Sequence, residues 1–117
     1  MKYITLKLLI IFSIFTFVYN YSTQAQNLKK HKCEDGYGFI NTITNIQVIE
    51  CKYDSVGNFQ NGFAGVRIGN KWGFIDKTGK EICNIKYDAI GDFRKDGKAP
   101  IRIGDKRFYI DRTGKEI

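Results

Sequence analysis

The chain is poor in several residues on which enzymes and metal sites depend. Its 117 residues include one histidine, one tryptophan, one proline and three cysteines. The histidine, His31, lies near Cys33, and two donors fall short of the four that a structural zinc site uses. Cys–His catalysis also needs a third, orienting group, and no such group recurs in the sequence. We therefore expect no catalytic residue, no metal and no cofactor.

Long apolar runs are missing too, except at the N-terminus. Residues 8–18 form an apolar run between two upstream lysines and a polar stretch that ends at Ala25. A membrane-spanning helix needs about 20 apolar residues, whereas this shorter pattern is typical of a secretory signal peptide. We interpret residues 1–25 as a signal peptide cleaved near Ala25 and Gln26, with an uncleaved anchor as the alternative. The mature chain is then exported (periplasmic, surface-bound or secreted) and keeps no membrane segment.

Charge of one sign is not concentrated in the mature chain. Without residues 1–25 the chain has 17 basic and 12 acidic residues, a net charge of +5. Lys29, Lys30 and Lys32 lie in a leader at residues 26–35, and the other basic residues are mixed with acidic ones. Nucleic-acid binding requires a basic stripe and a recognisable reading module. We therefore expect no nucleic-acid partner.

What the chain does have is a repeat with a period of 35 residues. The string WGFID at residues 72–76 is matched by YGFIN at residues 37–41 and by RFYID at residues 107–111. A fixed period of roughly 20–50 residues is typical of arrays whose units bury their apolar faces against one another. The units begin near residues 37, 72 and 107 of a domain that spans residues 36–117. The leader at residues 26–35 is either a basic tail or a degenerate first strand.

Each unit is predicted to contain an antiparallel hairpin, so the fold class is all-β. Segments 64–68 and 71–75 are rich in β-branched and aromatic residues and flank Gly69-Asn70, which suits a type II′ turn. The turn sets the register, with Arg67 opposite Trp72 on one face. A second turn at residues 76–79 is predicted to lead into a third strand over residues 80–83.

Alternation along the strands divides the hairpin into two faces. One face is predicted to be a core, and it carries Ala64, Val66, Ile68, Gly73 and Ile75. The missing side chain of Gly73 should let Val66 approach closely. On the other face, Gly65 should leave room for the ring of Phe74.

A second recurring piece joins one hairpin to the next. The string KYD occurs at residues 52–54 and again at residues 86–88, and each copy is followed by a phenylalanine, Phe59 or Phe93. We interpret this piece as an irregular crossover whose tyrosine and phenylalanine fill the seam between units, while Asp54 and Asp88 cap local backbone donors. A ligand groove lined by the tyrosines is the alternative.

The three cysteines do not occupy equivalent positions in the repeat. Cys51 directly precedes the first KYD string, whereas Cys83 lies three residues before the second. We interpret them as small buried hydrophobic residues, with a Cys51–Cys83 bridge as the alternative. An odd number leaves at least one thiol free or paired between chains.

The string KWGFIDKTGKEI at residues 71–82, continuing into KYD and Phe93, resembles the WG repeat, also called the KWG repeat, of bacterial proteins. The resemblance covers about residues 36–117 and implies β-rich repeats, often in exported proteins, with no established activity and a role in interaction. The structural positions of the repeat are Tyr37, Gly38, Tyr53, Asp54, Gly69, Gly73, Asp76, Gly79, Tyr87 and Asp88.

The third unit departs from the pattern of the repeat. Arg107 and Phe108 replace the Trp-Gly pair, and Pro100 stands where Gly65 stood. Proline cannot donate a ladder hydrogen bond, so Pro100 is expected at a sheet edge. The outer units are interpreted as the atypical caps that repeat arrays need.

Two functions from different classes follow. In the first, a face that carries Arg67, Trp72 and Phe74 binds an unknown protein partner at the cell envelope or outside the cell. In the second, exposed aromatic residues stack on an envelope polysaccharide. Only Trp72 is available for stacking, with Tyr37 and Arg107 at the equivalent positions, and this favours protein interaction.

Overall fold

The computed structural model of the chain describes residues 27–117, which contain nine strands and no helix. The strands form three antiparallel sheets of three consecutive strands each, here called sheets 1, 2 and 3. No helix in this part of the chain could cross a membrane. The predicted signal peptide lies outside the described residues. The strands are β1 (Leu28–Lys32), β2 (Tyr37–Asn41), β3 (Gln47–Tyr53), β4 (Ser55–Val56), β5 (Phe63–Ile68), β6 (Lys71–Asp76), β7 (Ala89–Ile90), β8 (Lys98–Ile103) and β9 (Lys106–Asp111).

The predicted hairpin and its register are confirmed. Strands β5 and β6 pair with Arg67 opposite Trp72, Gly65 opposite Phe74 and Val66 opposite Gly73. Gly69 has a φ of +61°, the left-handed conformation that the first central position of a type II′ turn requires. The hairpin of β8 and β9 repeats this pairing one period later. The leader contributes β1, which pairs with β2 along its whole length.

Each sheet has two faces, which point in opposite directions along the stack. The face of sheet 2 that carries Ala64, Val66 and Ile75 packs against sheet 1, and we call it the N-side face. The face that carries Gly65, Arg67, Trp72 and Phe74 is directed toward sheet 3, and we call it the C-side face. The first core, between sheets 1 and 2, contains Phe39, Ile49, Tyr53, Val56, Ala64, Val66 and Ile75. The second core contains Phe74, Tyr87, Phe93, Ala99, Ile101 and Ile110.

Ile68 does not belong to the core that the sequence predicts for it. Its side chain is 47% exposed, because it directly precedes the Gly69-Asn70 turn at the end of the hairpin. Ile103 holds the same place in sheet 3 and is also exposed.

The regular third strand predicted over residues 80–83 is wrong. This segment makes only an isolated bridge between Glu81 and Ile75, and a second bridge joins Tyr87 to Trp72. Between the two bridges the chain bulges over Gly73. A Cβ atom at Gly73 would lie 3.0 Å from Ile85 Cγ1 and 3.2 Å from Ile85 Cα, so Ile85 fills the space that the sequence assigned to Val66.

Pro100 lies in β8, the middle strand of sheet 3, and not at a sheet edge as expected. The proline is tolerated because it stands next to the end of β7, which is only two residues long. Its carbonyl still accepts a hydrogen bond from Gly91 N–H, 2.8 Å away. Another residue at position 100 would have a backbone N–H, and that N–H would lie beyond the end of the short β7–β8 ladder.

Cys33 and Cys51 form a disulfide, so neither expectation for the cysteines holds. The bond joins the end of β1 to β3 across β2, and Cys51 Sγ lies 3.6 Å from the carbonyl oxygen of His31. Strand β3 comes this close to β1 because Gly38, opposite His31, has no side chain and β3 shifts register beside it. Cys83 is free and half-buried.

Loss of this disulfide is expected to destabilise the fold by about 2–3 kcal/mol, because the bond closes a loop of 18 residues in the unfolded chain. The measurement is urea unfolding of Cys51→Ser, with Cys83→Ser as the matched control that leaves the bond intact. We expect the control to lose less than about 1 kcal/mol. Equal losses in the two variants, or three free thiols in the unreduced protein, would contradict the assignment.

Candidate functional site

Arg67 and Trp72 meet on the C-side face of sheet 2, as the register requires. The Arg67 guanidinium carbon lies 5.8 Å from the Trp72 ring centroid, and Arg67 Nη1 donates a hydrogen bond to the carbonyl of Gly69 at 2.5 Å. This geometry is a cation–π contact, worth about 0.5–1 kcal/mol near the surface. Trp72 is half-buried and already has one face occupied by Arg67.

Phe74, the third residue predicted to contact a partner, is 1% exposed and belongs to the second core. Its ring packs edge-on against Phe93, with 4.9 Å between the centroids. The space at Gly65, predicted to hold the Phe74 ring, is filled instead by Ile90, whose Cδ1 would lie 2.5 Å from a Cβ at Gly65. The C-side face of sheet 2 is therefore largely an internal interface between units.

The same face of sheet 3 is open. Pro100, Arg102, Arg107 and Tyr109 occupy the positions of Gly65, Arg67, Trp72 and Phe74, and Tyr109 is 40% exposed where Phe74 is buried. A groove of about 490 Å³ runs over this face. Its lining residues are Ala89, Ile90, Gly91, Pro100, Ile101, Arg102, Arg107, Phe108 and Tyr109.

Sequence reasoning missed this groove, although the signal was present. The 35-residue offset places Arg107 at the position of Trp72 and Tyr109 at that of Phe74. Because no described residues cover the C-side face of sheet 3, its residues at these positions are the ones that reach solvent.

The groove is lined by two arginines and no acidic residue, and Asp88, outside the groove, interacts electrostatically with Arg102. Arg102 and Arg107 are directly opposite each other in the β8–β9 pairing. Arg102 Nη1 donates to the carbonyl of Gly104 at 2.7 Å, whereas the Arg107 guanidinium has no ion pair or hydrogen bond within residues 27–117. Like charges directly opposite each other on a sheet are destabilising.

Tyr109 is held in place by a third arginine. The Arg94 guanidinium carbon lies 4.9 Å from the Tyr109 ring centroid, and Arg94 Nη2 lies 3.4 Å from a carboxylate oxygen of Asp96. The exposed ring therefore stands beside Pro100 between cationic groups. This arrangement suits a ligand that carries both anionic and apolar groups.

The KYD strings and the glutamates that follow the second turn bind successive units together. Tyr87 Oη donates to Glu116 Oε1 at 2.8 Å, and Lys86 Nζ lies 2.9 Å from the same oxygen. Tyr53 Oη makes the equivalent bond to Glu81 at 3.1 Å. Burial first, and then the bond to Glu116, raise the pKa of Tyr87, so the phenol stays neutral and keeps its donor.

Asp54 and Asp88 do not cap local donors as expected, but join each KYD string to the turn of the next hairpin, 15 and 16 residues further along the chain. Each accepts a hydrogen bond from the turn glycine of the next hairpin, Asp54 from Gly69 N–H at 2.6 Å and Asp88 from Gly104 N–H at 2.7 Å. Asp88 also pairs with Lys71. The bond from Gly104 and then the contact with Lys71 lower the pKa of Asp88.

Acid is expected to destabilise the stack. Folding lowers the pKa of Asp88 through Gly104 N–H, of Asp111 through the Thr113 hydroxyl, and of Glu116 through Lys86. Carboxylates of this kind contribute their full stability above their ordinary pKa values, 3.8 for aspartate and 4.5 for glutamate, and lose it as the pH falls toward the lower folded pKa.

The check is the urea midpoint of unfolding between about pH 6 and pH 3. We expect the midpoint to fall over this range, and to fall less in Asp88→Asn, which no longer has a carboxylate to protonate. A parent midpoint that is the same at both ends of the range would contradict this account.

No group of three or more histidine, cysteine, aspartate or glutamate side chains suited to a metal ion occurs in the described part of the chain. The His31–Cys33 pair that the sequence suggested as two possible donors offers no thiol, because Cys33 is in the disulfide.

The model of a WG containing repeat matches the chain twice, over residues 37–72 and 72–106. These matches cover more than half of the sequence, so the chain belongs to the WG-repeat family. No curated protein and no solved structure is significantly similar to it.

Proposed function

We propose that the chain is an exported, non-catalytic β-repeat module that binds a protein partner at the cell envelope or outside the cell. The observation that carries the proposal is the open C-side face of sheet 3. In sheet 2 the same face is covered by Ile90 and Phe93 of the segment that leads into β8. In sheet 3 it exposes Tyr109, Pro100 and Arg107 to solvent, and a surface of this composition is typical of protein interfaces.

Export has two supports, the signal-peptide pattern of residues 1–25 and the disulfide between Cys33 and Cys51. Disulfides persist in oxidising compartments and are rare in the cytosol. N-terminal sequencing of the protein purified from the cells that make it is expected to give Gln26 as the first residue. A protein that still begins at Met1 would contradict cleavage.

The interaction itself is tested by photo-crosslinking in the cells that make the protein. A photoreactive phenylalanine analogue at position 109 is expected to give covalent adducts with protein, because position 109 lies in the groove. The same analogue at position 113, in the exposed turn after β9, is the matched control. Adducts at 113 but not at 109, or no protein adduct at either position, would refute the proposal.

Polysaccharide binding is the second candidate, supported by the exposed Tyr109 ring beside Pro100. Retention of the chain on purified peptidoglycan, lost in both Trp72→Ala and Tyr109→Ala, would support it. Equal recovery of the parent and both variants in the unbound fraction would remove this candidate.

A further inference from the structure

We propose that the groove on sheet 3 binds an extended acidic segment of the partner, which places carboxylates against Arg102 and Arg107 and pairs its backbone with β9 at Arg107. This inference rests on the proposed function and names the chemistry of the partner at that site.

Charge complementarity is the first argument. Two guanidinium groups face each other across β8 and β9, and the groove that contains them has no carboxylate. A ligand carboxylate between them would replace repulsion by two charge-assisted hydrogen bonds, and the planar guanidinium matches a carboxylate in two-point geometry. In sheet 2 the same position holds the neutral Trp72 opposite Arg67. Of these two sheets, only sheet 3 therefore places two arginines opposite each other, where an anion would bind.

The open backbone at Arg107 is the second argument, and it favours a peptide. In sheet 2 Trp72 N–H donates to the carbonyl of Tyr87 at 2.8 Å, and the Trp72 carbonyl accepts from Tyr87 N–H at 3.1 Å. Arg107 holds the equivalent position on β9, and within residues 27–117 neither its N–H nor its C=O has a partner. On the same edge Tyr109 already exchanges two hydrogen bonds with Ile117, so the open position is Arg107. An extended peptide supplies a donor and an acceptor at this spacing, as in β-strand addition, whereas a sugar chain has no such backbone.

Two substitutions make sheet 3 a poorer fit for the segments that cover sheet 2. Phe108 holds the position of Gly73, where the missing side chain lets Asn84 and Ile85 bulge over β6. The Phe108 ring would block a segment that bulges in the same way over β9. Pro100 holds the position at which Gly65 leaves room for Ile90 in sheet 2. The proline ring occupies that room itself and packs against Gly91. A regular extended strand requires neither gap.

A second copy of the chain stacked end to end is disfavoured by charge. Strand β1, at the opposite end of the stack, exposes Lys29, Lys30 and Lys32. Stacking this end on the groove would bring lysines toward Arg102 and Arg107. Like charges brought together at an interface oppose association, so the occupant is an acidic partner.

The test is fluorescence anisotropy with labelled Glu-Val-Glu-Val-Glu-Val and a neutral peptide in which glutamine replaces each glutamate. The chain is compared with Arg107→Glu, in the groove, and with the charge-matched control Arg112→Glu, outside it. We expect the acidic peptide to bind at least about 10-fold more tightly than the neutral one. Arg107→Glu should weaken binding by about 10-fold or more, and Arg112→Glu by less than about 3-fold.

A further variant, Arg107→Trp, restores the residue of unit 2 and is expected to fold like the parent while losing the preference for the acidic peptide. Equal binding of the two peptides, or equal losses in the Arg107→Glu and Arg112→Glu variants, would overturn the proposal. Binding of polygalacturonate, but not of the peptide, in an Arg107-dependent manner would overturn it in favour of an anionic polysaccharide. Protein adducts at position 109 without binding of the acidic peptide would leave the proposed function standing and reject the acidic partner.

Discussion

Replacing Tyr87 by alanine is expected to destabilise the chain by about 3–5 kcal/mol, the cost of truncating a large aromatic residue in a core. The side chain is 1% exposed and fills the seam between units 2 and 3, with its ring edge-on to Phe108 at 6.2 Å. Its hydroxyl group bonds Glu116, so the substitution removes packing and a link between units together. Urea unfolding followed by circular dichroism measures the loss.

Two further variants separate these contributions. Tyr87→Phe keeps the ring and loses the hydroxyl group, and we expect it to cost about 1 kcal/mol, the net value of one hydrogen bond. Tyr109→Ala removes a ring that is 40% exposed and is expected to cost less than about 1 kcal/mol. A Tyr87→Ala variant as stable as Tyr109→Ala would show that Tyr87 does not hold the two units together.

Replacing Gly38 by alanine is expected to cost about 3 kcal/mol, at the upper end of the range for overpacking. A Cβ at this position would lie 2.2 Å from the carbonyl oxygen of Ile49 and 2.8 Å from that of Glu50. Both atoms belong to the backbone of β3, so no rotamer change can relieve the contact. The clash would displace β3 from β2 and, with it, Cys51 from its partner.

Gly57→Ala is the matched control, since the nearest atoms to a Cβ at Gly57 are 3.8 Å away. We expect the stability of this variant to lie within about 1 kcal/mol of the parent. If Gly38→Ala and Gly57→Ala unfold at the same urea concentration, the close approach of β3 to Gly38 is not a feature of the folded chain.

Gly69 and Gly73 show which features of the fold the sequence predicts and which it does not. The string WG predicts a hairpin strand with an empty position, and the two-residue turn at Gly69 correctly sets which residues face each other across β5 and β6. The sequence does not say which atoms fill the empty position. Ile85 does so at Gly73, because the next segment of chain bulges there, and a bulge adds a residue without a periodic signal.

The burial of Phe74 could not be predicted from alternation alone. Period-two alternation in a single hairpin sorts residues into two faces, and a two-layer protein would bury only one of them. In a stack the middle sheet is covered on both sides, with Val66 in the first core and Phe74 in the second. The order of the units therefore decides which copy of the C-side face is open.

The disulfide could not be predicted because Cys33 and Cys51 are not at repeated positions. Their proximity depends on β1 and β3 flanking a glycine-containing β2, and on the register shift of β3 beside Gly38. Such a shift is set by tertiary packing. The spacing of the cysteines along the sequence does not indicate this register shift.

Sheet 3 differs from sheet 2 in that its C-side face, and its edge at Arg107, are open where those of sheet 2 are covered. Amide hydrogen exchange of Trp72 and Arg107, followed by NMR, tests this most directly, because the two residues hold equivalent positions and differ in backbone partners. We predict strong protection of the Trp72 amide and exchange of the Arg107 amide close to the rate of an unstructured peptide. Comparable protection of the two amides in the free protein would contradict the account.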